Sequence, residues 1–122
     1  MEWINPMAPK GLKNSNQFRR VYREGRREAG NKIVIYCLET GGGGILPGFV
    51  ASKKNVGNRA CQRNRAKRLM REAYRSIVDR IAEENLWIVF IASFDPSETT
   101  LGQLTEDVEC SLRRAGLISN GG

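Results

Sequence analysis

The sequence predicts a single α+β domain, with one mixed β-sheet and helices packed on it in the order α-β-β-β-α-β-α. Three observations carry this reading. Residues 32–39 form a β-branched, alternating segment, and residues 86–92 form a continuous apolar run of strand length. Two longer stretches, one over the 60s and 70s and one from Leu101 to Ala115, repeat apolar residues at helical spacing. At 122 residues the chain can bury one modest core. The succession helix, strands, helix, strand, helix implies helices against one face of the sheet.

Met1 to Lys10 contains two prolines and no long apolar segment, so it reads as a flexible N-terminal segment and not as a secretory signal. Asn14 with Gln17 has the form of a capping box, and Phe18, Val21 and Tyr22 follow at helical spacing. A short helix is expected from Ser15 to Glu24, stopped by Gly25. Arg27 to Ala29 is a brief extended piece. In Lys32 to Glu39, Ile33, Ile35 and Cys37 point one way and Val34, Tyr36 and Leu38 the other. Gly41 to Gly44 is a turn. Ile45 to Ser52 is the next strand, with Pro47 near its start, where a missing donor does least harm. Lys53 to Asn58 is a loop, and Asn58 is positioned to cap the long helix that follows.

That helix is expected to end near Asp79 to Glu84, with Ala66, Leu69, Met70, Ala73 and Ile77 as its buried stripe. Leu86 to Ala92 is a strand buried on both faces, so Trp87 is expected in the core. Thr100 and Gln103 form a second capping box, and Leu101, Leu104, Val108, Leu112 and Ala115 mark the last helix. Gly116 ends it, and Ser119 to Gly122 reads as a disordered tail. The folded domain is therefore placed at residues 11–118.

Charge separates along the chain. Val50 to Arg75 holds nine basic residues against Glu72, a block of +8. Lys10 to Lys32 carries +6, and the remainder carries −7, which leaves the net +7. Two basic blocks offset by an acidic remainder imply a polarised surface suited to a polyanion. Asn64, Arg68, Arg71 and Arg75 fall on one stripe of the long helix. Cations held on a rigid rod repel one another, and a nucleic acid lying along them relieves that cost while releasing its counterions.

Other classes are disfavoured. No apolar run approaches the roughly 20 residues that span a bilayer. The three cysteines, Cys37, Cys61 and Cys110, are odd in number and scattered, which fits reduced thiols in a cytoplasm. Cys61 reads as a small buried filler. There is no histidine, which removes Ser/His and Cys/His nucleophile pairs and the commonest metal ligand. Glu72, Asp79 and Glu83 read as helix-surface charges, not as a metal site.

Ser52-Lys53-Lys54, then Val56-Gly57-Asn58, then Arg63-Asn64-Arg65, Lys67-Arg68 and Arg71-Glu72-Ala73-Tyr74 resemble the signature of the bacterial ribonuclease P protein subunit. Leu12-Lys13, Phe18-Arg19 and Val21-Tyr22 resemble that family's opening helix, and Leu86 to Ala92 its fourth strand. Arg113 to Leu117 resembles its closing helix. Arg-Asn-Arg alone is a weak signal; the whole block in this order is highly specific.

The resemblance implies a fold like the second domain of a small-subunit ribosomal protein, with a left-handed crossover between its parallel strands. That hand opposes the general rule. It implies a non-catalytic subunit that binds ribonuclease P RNA and precursor tRNA in the cytoplasm, with no membrane and no protein partner required. The catalytic RNA, with magnesium held mainly by the RNA, removes the 5′ leader of the tRNA. Carried onto this chain, Arg63, Asn64, Arg65, Lys67, Arg68 and Arg71 face the RNA subunit. Phe18, Arg19, Tyr22, Tyr36, Lys53 and Lys54 form a cleft for the single-stranded leader, where aromatic faces stack bases and cations track the backbone. No side chain of this protein is expected to be catalytic or to bind metal.

The chain departs from the family's pattern in three places. Two additional residues fall within Asn55 to Gln62, Ser93 follows the fourth strand where a basic residue is usual, and the tail lacks a lysine-rich extension. The competing readings are a ribosomal or general RNA-binding protein of the same fold class, and a protein-only nuclease. The latter requires clustered carboxylates, and the sequence offers none.

Overall fold

All seven expected elements are present in the computed structural model, which describes residues 11, 12 and 15–118. They are α1 (Ser15–Glu24), β1 (Arg26–Ala29), β2 (Ile33–Glu39), β3 (Ile45–Val50), α2 (Ala60–Ile77), β4 (Leu86–Ala92) and α3 (Leu101–Arg114), with a 3₁₀ turn, Val78–Arg80, closing α2. The expected segment 1–10, the tail 119–122 and the Asn14 side of the first capping box lie outside the described residues. Among the described residues no helix is long and apolar enough to cross a membrane.

The four strands lie in the order β1-β2-β4-β3. β1 and β2 form an antiparallel hairpin, β2 and β4 are antiparallel, and β3 and β4 are parallel. The parallel pair is joined through α2, the connection that the expected crossover requires. β3 is an edge strand, which explains Pro47: its missing donor faces no partner strand, and its carbonyl accepts from Leu12 N at 2.9 Å.

The sheet is covered on both faces, not on one as the element order implied. Ile33, Ile35 and Cys37 of β2 and Leu86, Ile88, Phe90 and Ala92 of β4 pack with Ala66, Met70, Ala73 and Ile77 of α2 and Leu104, Val108 and Leu112 of α3. Val89, on the opposite side of β4, is fully buried with Leu12 and Val21, and half-buried Phe18, Tyr36, Leu38, Leu46, Val50, Trp87 and Ile91 surround them. The reason is the apolar character of both faces of β2 and β4. One face takes α2 and α3, and the second needs α1. Trp87 thus sits in this second cluster, half-buried, with the Arg20 guanidinium 5.3 Å from its ring centroid.

Local details follow elementary chemistry. Thr100 Oγ1 accepts from Gln103 N at 3.1 Å and Gln103 Oε1 accepts from Thr100 N at 3.1 Å, completing the expected box. Gly116 adopts φ +79° and lets Leu117 N return to Leu112 O at 2.9 Å. α2 starts differently from expectation. Arg59, not Asn58, is its N-cap, with extended backbone and no side-chain cap bond. Its carbonyl instead begins the helical ladder to Gln62 and Arg63 N–H. Cys61, expected as a buried filler, is exposed, because it lies in the first turn ahead of the buried stripe Ala66, Met70, Ala73, Tyr74 and Ile77.

Tyr74 joins the core where α2 meets the sheet, edge-on to Phe49 and Phe90 at 5.9 and 5.8 Å. Burial pushes its phenol from an ordinary 10.0 up to about 12. The folded state therefore holds this proton more tightly than the unfolded chain does. The associated stability is intact below pH 10 and is lost as pH climbs toward about 12. Urea titrations across that window should show Tyr74→Phe relieving roughly 2–3 kcal/mol of the alkaline loss. An unchanged alkaline slope in the variant would contradict this.

Candidate nucleic-acid interface

One side of α2 packs into the core while the other meets solvent. Asn64, Arg65, Arg68, Arg71 and Arg75 are exposed, and Arg63 and Lys67 are half-buried. Their fates differ. Among the described residues Arg65, Lys67 and Arg68 carry no ion pair or hydrogen bond to an acid. Arg75 Nη1 is paired with Glu72 Oε1 at 2.9 Å, an exposed contact that water and salt weaken. The Arg71 guanidinium rests 5.5 Å from the Phe49 ring centroid, and Phe49 stacks on Phe90. The ring holds that charge in place without neutralising it.

Arg63 turns inward. Its Nη1 donates to Gly57 O at 3.0 Å. The loop after β3 is thereby tied to α2. Two further contacts hold it: Val56 N donates to Ser52 O at 2.9 Å, and Val56 packs on the main core. Lys53 and Lys54 stand exposed at its turn. Of the six residues expected to face an RNA subunit, Asn64, Arg65, Lys67, Arg68 and Arg71 reach solvent along α2, Arg71 while resting on Phe49, and Arg63 braces the adjoining loop.

The aromatic members of the other expected group, Phe18, Tyr22 and Tyr36, assemble on the opposite face of the sheet. Paired residues of neighbouring strands lie side by side, so Tyr36 of β2, Val89 of β4 and Gly48 of β3 form one row. α1 lies across this row. Phe18 is seated directly on Gly48: a Cβ there would stand 2.6 Å from Phe18 Cε1 and 2.7 Å from Cζ. One turn later Tyr22 meets Tyr36 edge-on at 5.0 Å, and the Phe18 and Tyr22 centroids are 6.5 Å apart. The result is a continuous aromatic ridge. Partial burial, and then the neighbouring Tyr36, raise the Tyr22 phenol pKa, and the ring remains 40% exposed.

In the next row Val34, Ile91 and Val50 are half-buried, an apolar floor beside that ridge. β3 then leads into Lys53 and Lys54. Arg19, exposed on α1, has no acid partner among the described residues. Sequence reasoning missed Gly48, although a glycine inside a strand pattern is the signal for a close approach. Among the described residues no group of three or more carboxylates, thiols or imidazoles is placed to hold a metal ion.

The chain is thus a small basic α+β protein with a cationic helix on one face of its sheet and an aromatic ridge on the other. The chain belongs to the ribonuclease P protein family, whose model, described as Ribonuclease P, matches residues 8–116. It is 35% identical over 108 residues to the ribonuclease P protein component of Clostridioides difficile, covering 88% of this chain and 93% of that one. With the ribonuclease P protein component of Alkaliphilus metalliredigens it shares 37% identity over 108 residues, covering 88% and 95%. The RNase P protein structure from Staphylococcus aureus superposes with a TM-score of 0.76 at 25% identity, covering 92% of this chain and all of that one.

Proposed function

We propose that the chain is the protein subunit of the ribonucleoprotein ribonuclease P. In this reading it binds the catalytic RNA through α2 and the 5′ leader of precursor tRNA across the α1 face. It thereby aids magnesium-dependent, endonucleolytic release of the leader. The RNA carries the bond-breaking chemistry and holds the magnesium. The observation that best supports this is the surface of Arg65, Lys67 and Arg68, which have no acid partner among the described residues, on a helix whose other side is buried. Such a surface matches closely spaced phosphates of a folded RNA, and arginine's planar fork suits them. The ridge Phe18–Tyr22–Tyr36 supplies stacking faces for unpaired bases without strict sequence choice.

The test is reconstitution. Full-length protein added to a bacterial ribonuclease P RNA at low magnesium should raise the rate of precursor tRNA cleavage. No stimulation, or equal affinity for ribosomal RNA fragments at one salt concentration, would overturn the reading in favour of a general RNA-binding protein.

Phe18→Ala should weaken binding of long-leader substrates by roughly 1–3 kcal/mol, the worth of one stacked base. Mature tRNA binding should be unchanged. An equal loss for mature tRNA would trace the effect to the core around Gly48 instead.

A further inference from the structure

The aromatic row does not end at Tyr36. In the β1–β2 hairpin Arg27 is the register partner of Tyr36, so the two side chains leave the sheet on the same face, with Cβ atoms roughly 5 Å apart. Arg27 is exposed and has no ion pair or hydrogen bond to an acid among the described residues. Its neighbours on β1 behave otherwise. Arg26 Nη1 donates to Ala115 O at 3.0 Å, and its other nitrogen lies 4.0 Å from Glu39 Oε2. Glu28 accepts from Arg114 Nε at 3.3 Å. Strand alternation therefore sends Arg26 and Glu28 to the α3 side and leaves Arg27 beside the ridge.

We propose that Arg27 is a further binding residue for the single-stranded leader, gripping the nucleotide next to the one stacked at Tyr22 and Tyr36. Two properties favour a nucleic acid here. A guanidinium beside the half-buried Tyr36 offers both a phosphate contact and a plane for a base. The position also extends the cationic path: Lys53 and Lys54 follow β3 at one edge of the sheet and Arg27 stands on β1 at the other. Three inter-strand spacings separate those edges, roughly 14 Å across the sheet, and Lys53 lies five residues beyond Gly48, the β3 residue level with Arg27, so an extended strand that engages both crosses the aromatics obliquely. This inference rests on the α1 face being the leader site.

The experiment uses the reconstituted ribonucleoprotein with precursor tRNAs carrying a short or a long leader, comparing wild type, Arg27→Ala, Arg27→Lys and Arg26→Ala. Arg26→Ala removes the same charge from the same strand on the other face. Arg27→Ala should lose roughly threefold to fivefold in affinity for the long-leader substrate alone, with a shallower salt dependence. Arg27→Lys should recover part of that loss, and Arg26→Ala should show no leader-dependent loss. If wild type discriminates long from short leaders while Arg27→Ala matches it, or while Arg26→Ala loses as much, the assignment of Arg27 is wrong and the leader site stands. If wild type itself shows no leader-dependent affinity, the underlying reading of the α1 face fails instead.

Discussion

The double variant Arg65→Ala/Arg68→Ala should bind ribonuclease P RNA far more weakly than wild type while unfolding at nearly the same urea concentration. Both side chains are exposed and lack acid partners among the described residues, so their removal costs the fold little. They lie three residues apart on one side of α2, close enough to meet neighbouring phosphates. Each replacement should cost roughly 1–3 kcal/mol if the contact is specific. The salt dependence should drop as well, by about 0.7–0.9 in logarithmic slope for each phosphate released. Arg75→Ala is the matched comparison, because its guanidinium is already engaged by Glu72, and it should change affinity much less. Filter binding at several salt concentrations reads all of these. Unchanged affinity in the double variant would mean that this side of α2 faces solvent in the assembled particle.

The second large effect concerns the fold. Asp107 of α3 is buried, and its carboxylate accepts three backbone N–H bonds from the β1–β2 hairpin: Asn31 N at 3.0 Å, Lys32 N at 3.0 Å and Ile33 N at 3.2 Å. Gly30 makes this approach possible, since a Cβ there would stand 2.5 Å from Asp107 Oδ2. Asp107→Ala strands these donors, of which Ile33 N is deeply buried, and should cost roughly 2–4 kcal/mol of stability. Asp107→Asn keeps one acceptor oxygen and should lose less. Thermal and urea unfolding of the two variants would check the order. Equal stability of Asp107→Ala and wild type would show that the hairpin holds itself.

These two cases mark what could be read in the sequence. The cationic side of α2 was legible because helical spacing and charge are local properties, visible within a few turns. The strands were legible for the same reason, down to the opposed faces of β2 and the limits of β4. Asp107 was not, because its partners lie more than 70 residues away and a lone acid on a helix looks like any surface charge. The motif marks Arg63 as an RNA-facing cation, and it does not tell that its guanidinium also reaches the Gly57 carbonyl. A motif names a residue type, and only the path of the loop decides where that side chain ends.

The placement of α1 follows the same logic. Its apolar residues at 18, 21 and 22 stated that one side must be covered, and did not state by what. Periodicity reports that a face is buried; it is silent on the partner. Sequence alone determined the element order, the separation of charge and the family. The tertiary structure decided that α1 takes the sheet face opposite α2, and that Phe18 settles on Gly48. It also placed Arg27 level with Tyr36. Those outcomes depend on contacts between segments far apart in the chain, chosen by which surfaces fit once both faces of β2 and β4 had to leave water.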